Sequence, residues 1–379
     1  MTDVVPAGWA GERASHGRPR CPLRAVALIS PLMVSDGWAL WGRTDGRSLM
    51  RSFGLRRRPE GEGETIAIYY ASDVHGSELC WRKFLTASKH YRAPLIIMGG
   101  DLTGKAIVPI VEKADGSYVG RLLGEDRLAR GKAELDELMT AVRYNGMYPW
   151  VASRQEIDAT ETDDVVRDEL FDQVILDELR RWLVIADERI ETQPGLEVFV
   201  MAGNDDPWAC DDVIRSARHV SVCDDRVVQV GPHEMISLSI ANPTPWNSPR
   251  ELDESALYDR LKALAEQVQE PGTAIFNLHV PPYDSGLDRA NEIAADLTVV
   301  YKSGHPNVIP VGSTAVRQII EEYQPLLSLH GHIHESRAEA QIGRTLAINS
   351  GSEYNSGRIH GVVVKLGRHD VVSRQFVVG

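Results

Sequence analysis

The sequence predicts an α/β protein in which parallel strands alternate with helices and end in polar loops. Residues 65–71 (Thr-Ile-Ala-Ile-Tyr-Tyr-Ala) form an apolar run typical of a strand that is buried on both faces. A helical segment at 77–91 and a second apolar run at 95–98 follow, and this order predicts a parallel pair joined by a right-handed crossover. Polar, glycine-containing segments follow these runs, which indicates a binding crevice at one edge of the sheet.

Three further helices are predicted from apolar spacing and from start signals. The first begins near Thr160 or Thr162, and its apolar stripe is interpreted as core packing. The second is expected to begin at Ser248, because Ser-Pro-Arg-Glu at 248–251 offers an N-cap serine, a proline at the first helical position and a capping-box glutamate. The third begins at Ser313. The stripe of the first helix consists of Phe171, Ile175, Leu179 and Trp182.

The remaining apolar runs predict strands at 196–201, 220–230, 235–240, 273–278, 326–329, 346–349, 361–366 and 371–378. The stretch from about 105 to 194 is too long for an unstructured loop, so it is predicted to be an insertion with a hairpin turn at Asp115-Gly116. Residues 1–62 are rich in Arg and Gly without a sustained period and are predicted to be a loosely ordered N-terminal extension. Residues 63–379 are expected to form one domain that carries the insertion.

Composition narrows the class of protein. With 43% hydrophobic and 25% charged residues, the 379-residue chain has the composition of a globular protein. Its net charge of −13 disfavours binding of a long nucleic acid through a basic surface. No run is as long as a membrane span, and none of the four cysteines forms a C-x-x-C pair. We therefore expect a cytoplasmic protein with free thiols and no membrane partner.

Five short segments carry the candidate chemistry, and each follows an apolar run. Together they supply two Asp, one Asn and four His, which is a ligand set for two divalent metal ions. A lone Asp-x-His or a single buried histidine is weak evidence, but the joint pattern after five predicted strands is specific. Adjacent glycines permit the tight turns that would aim these side chains together. The segments are Ser72-Asp73-Val74-His75-Gly76, Gly100-Asp101, Gly203-Asn204-Asp205, His279 and Gly331-His332-Ile333-His334.

This ordered set resembles the pattern of the calcineurin-like metallophosphoesterases: D-x-H, G-D, G-N-[HD], H and G-H-x-H. The resemblance spans residues 66 to about 360, and the stretches at 99–105 and 279–283 resemble an uncharacterised bacterial and archaeal subgroup. It implies a four-layer α/β/β/α sandwich of two mixed β-sheets flanked by helices.

The resemblance also implies metal-binding roles for seven residues. Asp73, His75 and His334 would bind the first ion, Asn204, His279 and His332 the second, and Asp101 would bridge both. Mixed nitrogen and oxygen ligation favours manganese, with iron, zinc and nickel as alternatives.

The sequence departs from the commonest family pattern at Asp205, where many members have a histidine that contacts the phosphate and can protonate the leaving group. An ionised Asp would repel a phosphate, so this position leaves the general acid open. Capping of a helix near Pro207 by Asp205 and Asp206 is the favoured interpretation. Asp205 nevertheless stays among the candidate catalytic residues, with Asp101, Asn204 and His279.

Several neighbouring residues have less specific interpretations. Lys105 follows Gly104 without Walker spacing and is expected to be exposed to solvent. Strand alternation turns His330 away from the ligands, so it is expected to support them from behind. Residues 349–352 (Asn-Ser-Gly-Ser) either contribute backbone contacts or form a plain turn, and Asp284 and His305 are weak candidates for the pocket wall.

The function expected is hydrolysis of a phosphate ester, a diester such as a cyclic or other nucleotide rather than a monoester, by attack of a hydroxide held between two metals. A nuclease that acts on nucleic acid ends is one alternative, although the net charge disfavours it. A non-catalytic binding or assembly component that retains the fold is the other. The partner expected is a small phosphate ester, and the oligomeric state is left open.

Overall fold

The computed structural model describes residues 65–379; the expected N-terminal extension at 1–62, together with Cys21, lies outside the described residues. The first strand is buried along its last four residues, and the helix after it is capped by Ser77, whose Oγ accepts a hydrogen bond from Cys80 N at 3.4 Å. Both elements were predicted. These first elements are β1 (Ile66–Ala71), α1 (Glu78–Tyr91) and β2 (Leu95–Met98).

The stretch after Lys105 folds into its own small sheet and three helices. The turn at Asp115-Gly116 joins two antiparallel strands as predicted, and the long helix starts at Asp164 with Asp163 as its N-cap. The other strands and helices here were not predicted. They are β3 (Ile107–Glu112), β4 (Tyr118–Leu122), β5 (Glu125–Ala129), α2 (Lys132–Tyr144), β6 (Tyr148–Ala152), α3 (Arg154–Thr162) and α4 (Asp164–Thr192).

Two predictions in the next stretch are wrong. The run at 220–230 is two strands in different sheets, because the chain turns at Asp225, which has a positive φ of 56°. No helix starts at Ser248; the helix is capped by Asp253, whose carboxylate accepts from Ala256 N at 2.9 Å. These elements are β7 (Glu197–Val200), α5 (Cys210–Arg215), β8 (Ser221–Val222), β9 (Arg226–Val230), β10 (His233–Leu238), α6 (Glu254–Ala265) and β11 (Ile275–Leu278).

The last third combines short hairpins with the strands that close both sheets. Ser313 caps its helix as predicted, with Oγ accepting from Val316 N at 3.1 Å. The elements are β12 (Arg289–Asn291), β13 (Tyr301–Lys302), β14 (His305–Pro306), β15 (Val308–Pro310), α7 (Thr314–Tyr323), β16 (Leu327–His330), β17 (Ala338–Ile342), β18 (Thr345–Asn349), β19 (His360–Leu366) and β20 (Val371–Val378).

Two mixed six-stranded sheets form the centre of the molecule. The first has the order β20-β19-β1-β2-β7-β8, and the second has the order β17-β18-β16-β11-β10-β9. In each sheet four adjacent strands are parallel, which aligns their carboxyl ends at one edge. The insertion contributes a separate sheet of order β5-β4-β3-β6.

The apolar core lies in three layers that follow from this arrangement. Side chains such as Ile97 and Leu329 fill the space between the two sheets. Helices α1, α4 and α5 cover the outer face of the first sheet, and α6 and α7 cover that of the second. The fold is therefore the four-layer α/β/β/α sandwich that was predicted. Within residues 65–379, no helix is both long and apolar enough to span a membrane.

Candidate metal centre

All seven predicted ligands lie on loops that follow central strands. These loops come after β1, β2, β7, β11 and β16, whose carboxyl ends lie at the same edge of the two sheets. Four of the ligands have left-handed backbones: Asp73 (φ 59°), His75 (φ 39°), Asp101 (φ 51°) and His332 (φ 65°). Such conformations are unfavourable for non-glycine residues and concentrate at functional sites.

Two glycines of the motifs are required by close approach. A Cβ on Gly203 would overlap the carboxylate and backbone of Asp101, and one on Gly331 would overlap Ser72 and the Asp73 carboxylate. Each glycine therefore lets one ligand loop pass directly over another. This is the structural reason for glycine beside the ligands.

The first cluster consists of Asp73, His75, Asp101 and His334, whose ligand atoms all lie within 4.8 Å of one another. His75 Nε2 lies 3.0 Å from His334 Nε2 and 3.5 Å from Asp101 Oδ2. His334 Nε2 lies 3.4 Å from Asp73 Oδ1.

The second cluster shares Asp101 with the first and adds His279 and His332. His279 Nε2 lies 3.4 Å from Asp101 Oδ2. Asn204 Oδ1 completes the group, 3.0 Å from His279 Nε2 and 2.8 Å from His332 Nδ1. One carboxylate thus belongs to both groups, as the bridging role requires.

These separations fit a bound divalent cation. Metal–ligand bonds of about 2.1 Å with angles near 90–110° place neighbouring ligand atoms roughly 3.0–3.4 Å apart, close to the separations in both clusters. The donor set of four imidazoles, two carboxylates and one amide oxygen suits first-row transition metals better than magnesium or calcium.

The electrostatics of the site without a cation show how strongly these groups depend on one another. Burial raises the pKa of Asp101, but the imidazoles of His279 and His75 outweigh it and hold that pKa well below its usual range. Burial lowers the pKa of His279, but the Asp101 and Asp73 carboxylates raise it to about 10. Burial and His279 together lower the pKa of His332 to about 4. The protein thus balances two buried carboxylates with positive charge, which a cation would supply directly.

Neighbouring residues fix the orientation of the ligands. His279 Nδ1–H donates to Gly99 O at 2.8 Å, which leaves Nε2 directed at the site. His330 is fully buried and hydrogen-bonds to Leu278 O at 2.8 Å and Ser328 Oγ at 2.8 Å. As predicted, it is turned away from the ligands and stabilises the chain beside His279. Ser352 Oγ donates to Asp73 O at 2.6 Å, so the 349–352 segment contributes to the site.

The interpretation of Asp205 and Asp206 as helix caps is wrong. Helix α5 begins after Ala209 without a side-chain cap. The Asp206 carboxylate is fully buried and instead accepts from Leu102 N (3.0 Å), Thr103 N (2.8 Å), Thr103 Oγ1 (2.6 Å) and Gly203 N (2.7 Å). It therefore ties the loop that carries Asp101 to the loop that carries Asn204.

Asp205 lies in the site but is engaged with two partners that sequence reasoning missed. Its carboxylate is 2.5 Å from Lys105 Nζ and accepts from Ser248 Oγ at 2.8 Å, and its N–H donates to Asp101 Oδ1 at 3.0 Å. Lys105 is indeed largely exposed, yet it is not a free surface lysine. Its position four residues after Asp101 was the available signal; nothing in the sequence marked Ser248.

Five of the seven candidate ligands line a cavity of about 600 Å³: His75, Asp101, Asn204, His332 and His334. The rest of the lining is largely aromatic and apolar, and Tyr283, unlike Asp284 and His305, contributes to it. Its aromatic side chains are Trp246, Tyr283 and Tyr354, and its apolar ones include Pro243, Pro245, Ile293, Ile309, Pro310 and Val311.

Comparison with known proteins finds distant relatives. No family model matches the sequence. The uncharacterised protein MJ1162 of Methanocaldococcus jannaschii is 28% identical over 168 residues, which cover 44% of this chain and 68% of that protein. The solved structure of TT1561 of Thermus thermophilus is 14% identical with a TM-score of 0.45, covering 83% of this chain and 99% of the other. The calcineurin-like phosphoesterase YfkN of Bacillus subtilis is 9% identical with a TM-score of 0.33, covering 83% and 90%.

These identities and scores carry no argument about activity. The resemblance rests on the chain's own residues: five motifs in family order, a four-layer sandwich, and two ligand clusters that share Asp101. The chain therefore has a fold and a motif order that resemble those of the calcineurin-like metallophosphoesterases, and it gathers the candidate ligands into two clusters.

Proposed function

We propose that this protein is a metal-dependent phosphoric ester hydrolase that acts on a small phosphodiester, such as a cyclic or other nucleotide. The observation that carries the proposal is the sharing of Asp101 by two ligand clusters on the wall of a cavity. If bound there, two cations would supply a nucleophile from water at neutral pH and neutralise the negative charge that develops on the phosphate oxygens.

The protein's own residues supply position and rigidity. Asp73, His75 and His334 would hold one cation, Asn204, His279 and His332 the other, and Asp101 both. Backbone contacts such as His332 N–H to Asp73 Oδ1, at 2.9 Å, keep the ligand loops in register before any ion binds. This preorganisation is what a two-metal site requires for catalysis. Manganese is the ion proposed first, because the ligands mix nitrogen and oxygen donors.

The cavity wall supports a substrate with an organic group on each side of phosphorus. Volumes of roughly 300–1,000 Å³ accept a drug-sized ligand, and the cavity of about 600 Å³ is within that range. Trp246, Tyr283 and Tyr354 line the same cavity as the candidate ligands, and the Tyr354 ring centroid is 4.7 Å from that of His75. The Asp205 carboxylate, paired with Lys105, is not placed as a free proton donor. Both features favour a diester, which needs less help from a general acid than a monoester with a poor leaving group.

The charge distribution favours a small substrate over a nucleic acid. Among the described residues that line the cavity, Lys105 is the one lysine or arginine. A groove that tracks a polyanion would need several such side chains. The net charge of −13 also disfavours a nucleic acid as substrate.

A hydrolysis screen on manganese-loaded protein tests the proposal. We expect turnover of bis(p-nitrophenyl) phosphate and of at least one nucleotide diester, slower turnover of p-nitrophenyl phosphate, and loss of all activity in Asp101→Asn. Equal rates for the wild type and Asp101→Asn would contradict the proposal. A clear preference for the monoester would keep the metal-dependent hydrolase but refute the diester assignment.

A further inference from the structure

We infer that the Lys105 ammonium group, held in place by Asp205, binds the free oxygens of the substrate phosphate beside the two ligand clusters. The inference rests on the proposed function and adds a phosphate-binding residue to it. Lys105 would provide the cationic contact that a histidine at position 205 provides in the commonest family pattern.

The contacts of Asp205 connect Lys105 to the metal ligands. Lys105 Nζ is 2.5 Å from Asp205 Oδ2, and the same oxygen is 4.0 Å from His75 Nδ1. The backbone N–H of Asp205 donates to Asp101 Oδ1 at 3.0 Å. Asp205 therefore links the ammonium group to the first cluster, through its carboxylate near His75 and through its backbone N–H bonded to Asp101.

Asp205 itself is fixed from a third direction. Its other oxygen accepts from Ser248 Oγ at 2.8 Å, and Ser248 lies on the segment that also contributes Trp246 to the cavity wall. Because both oxygens are engaged, the Asp205 carboxylate is held in the cavity wall together with Lys105. Its negative charge is balanced by the lysine and repels an anionic substrate less.

The backbone that carries Lys105 is anchored on the side of Asp101. Gly104 N–H donates to Tyr148 Oη at 2.6 Å, and Thr103 N–H donates to the buried Asp206 carboxylate at 2.8 Å. The backbone that carries the side chain is thus fixed, and the side chain is 65% exposed and lines the cavity. A fixed backbone and an accessible ammonium group suit a residue that binds phosphate.

The surroundings of Lys105 keep its ammonium group charged, and it is the one lysine or arginine on the described cavity wall. Burial lowers the pKa of Lys105, but the Asp205 carboxylate outweighs that effect and raises the pKa above its usual value. The other charged groups of the described cavity wall, Asp101, Asp205 and Glu335, are acidic, and the remaining basic groups are the three ligand histidines. Apart from those histidines, a bound phosphate has one cationic side chain available in the described structure.

The matched test compares Lys105→Ala with Lys302→Ala. Lys302 is 64% exposed and pairs with Glu292 at 3.2 Å, but neither residue lines the cavity. In metal-loaded protein, Lys105→Ala should lower kcat/KM for diesters by roughly 10²-fold, the lower end of the effect of removing one oxyanion contact. It should also weaken inhibition by inorganic phosphate about tenfold. Lys302→Ala should match the wild type in both, and Lys105→Arg should retain most activity.

The leaving group separates a phosphate contact from proton donation. A phosphate contact predicts that Lys105→Ala slows nitrophenyl and alkyl diesters by similar factors, with unchanged metal content by elemental analysis. Asp205→Asn should have a smaller effect of the same kind, because Lys105 remains present but is less well placed. Activity of Lys105→Ala within threefold of an active wild type would overturn the inference, and so would a loss confined to alkyl leaving groups. An inactive, metal-free wild type would instead refute the proposed function.

Discussion

Replacement of Asp206 by alanine should destabilise the protein and loosen the metal site together. The carboxylate is fully buried and accepts four hydrogen bonds, three from backbone N–H groups and one from the Thr103 hydroxyl. Its donors belong to the loop after β2 and the loop after β7, which carry Asp101 and Asn204. Removing the carboxylate leaves donors of both ligand loops without acceptors.

The magnitude follows from the number of orphaned donors. Each buried donor left without a partner costs about 1–3 kcal/mol, and water that enters the space left by the side chain recovers part of this. For three backbone donors we expect a loss of about 3–5 kcal/mol in the free energy of unfolding. Burial and the neighbouring Asp101 charge raise the pKa of Asp206. Asp206→Asn keeps one acceptor oxygen and should cost less, about 1–3 kcal/mol.

Urea unfolding followed by circular dichroism measures this loss, and titration with Mn²⁺ measures the affinity of the site. Asp115→Ala is the matched control, because Asp115 accepts from Ser117 N at 3.0 Å and Ser117 Oγ at 2.6 Å but is exposed. It should leave the free energy of unfolding close to that of the wild type. A loss below about 1 kcal/mol in Asp206→Ala, or metal affinity equal to that of the wild type, would refute the reasoning.

Two further substitutions test the ligands and the close approach of their loops. His279→Ala should abolish diester hydrolysis, because it removes a ligand that touches both Asp101 and Asn204. The circular dichroism spectrum should stay that of the wild type. Activity within a few-fold of the wild type would exclude His279 from the site. Gly331→Ala should lower the metal affinity measured by Mn²⁺ titration, because its Cβ would displace Asp73. The control is Gly116→Ala, whose Cβ meets open space at a positive φ; it should cost about 1 kcal/mol of stability and leave metal affinity unchanged. Equal metal affinities in the two variants would contradict the steric argument.

The central strands and the convergence of the ligands were predictable from the sequence. Strands buried on both faces form continuous apolar runs, as in residues 66–71, and the ligands follow such runs directly. Parallel strands then bring their carboxyl ends to one edge, so sequence-distant residues such as Asp73 and His332 meet there. The metal-binding roles themselves stay a prediction, as does the division into an extension, a domain and an insertion.

The helix start at Ser248 was not predictable because tertiary contacts override a local signal. Ser248 N–H does donate to Glu251 at 2.8 Å, as in a capping box. However, Arg250 N–H donates to Asn204 O at 3.2 Å, and its buried guanidinium binds Asp206 O and Asp211. These contacts hold Arg250 against the segment that contains Asn204, Asp206 and Asp211, and the helix begins only after Asp253.

The exposure of Lys105 is as predicted, but its ion pair with Asp205 was missed for a related reason. A sequence does not show which carboxylate folding places within 2.5 Å of an exposed lysine, since Asp205 is distant along the chain. Asp224 is comparable: its buried carboxylate accepts from Ser239 N at 2.8 Å, which fixes the turn that divides residues 220–230. Long-range polar contacts of this kind have no periodic signature.

Metal stoichiometry tests the central claim most directly. After reconstitution with Mn²⁺ and removal of unbound ion, elemental analysis of the wild type should give close to two ions per chain, because Asp101 is shared by two clusters. Asp101→Asn, which removes the charge of the shared carboxylate, should give fewer than two in a protein that remains folded. A ratio near two in the wild type, lowered in Asp101→Asn, is the result predicted; a ratio near zero in folded wild-type protein would contradict the two-metal site.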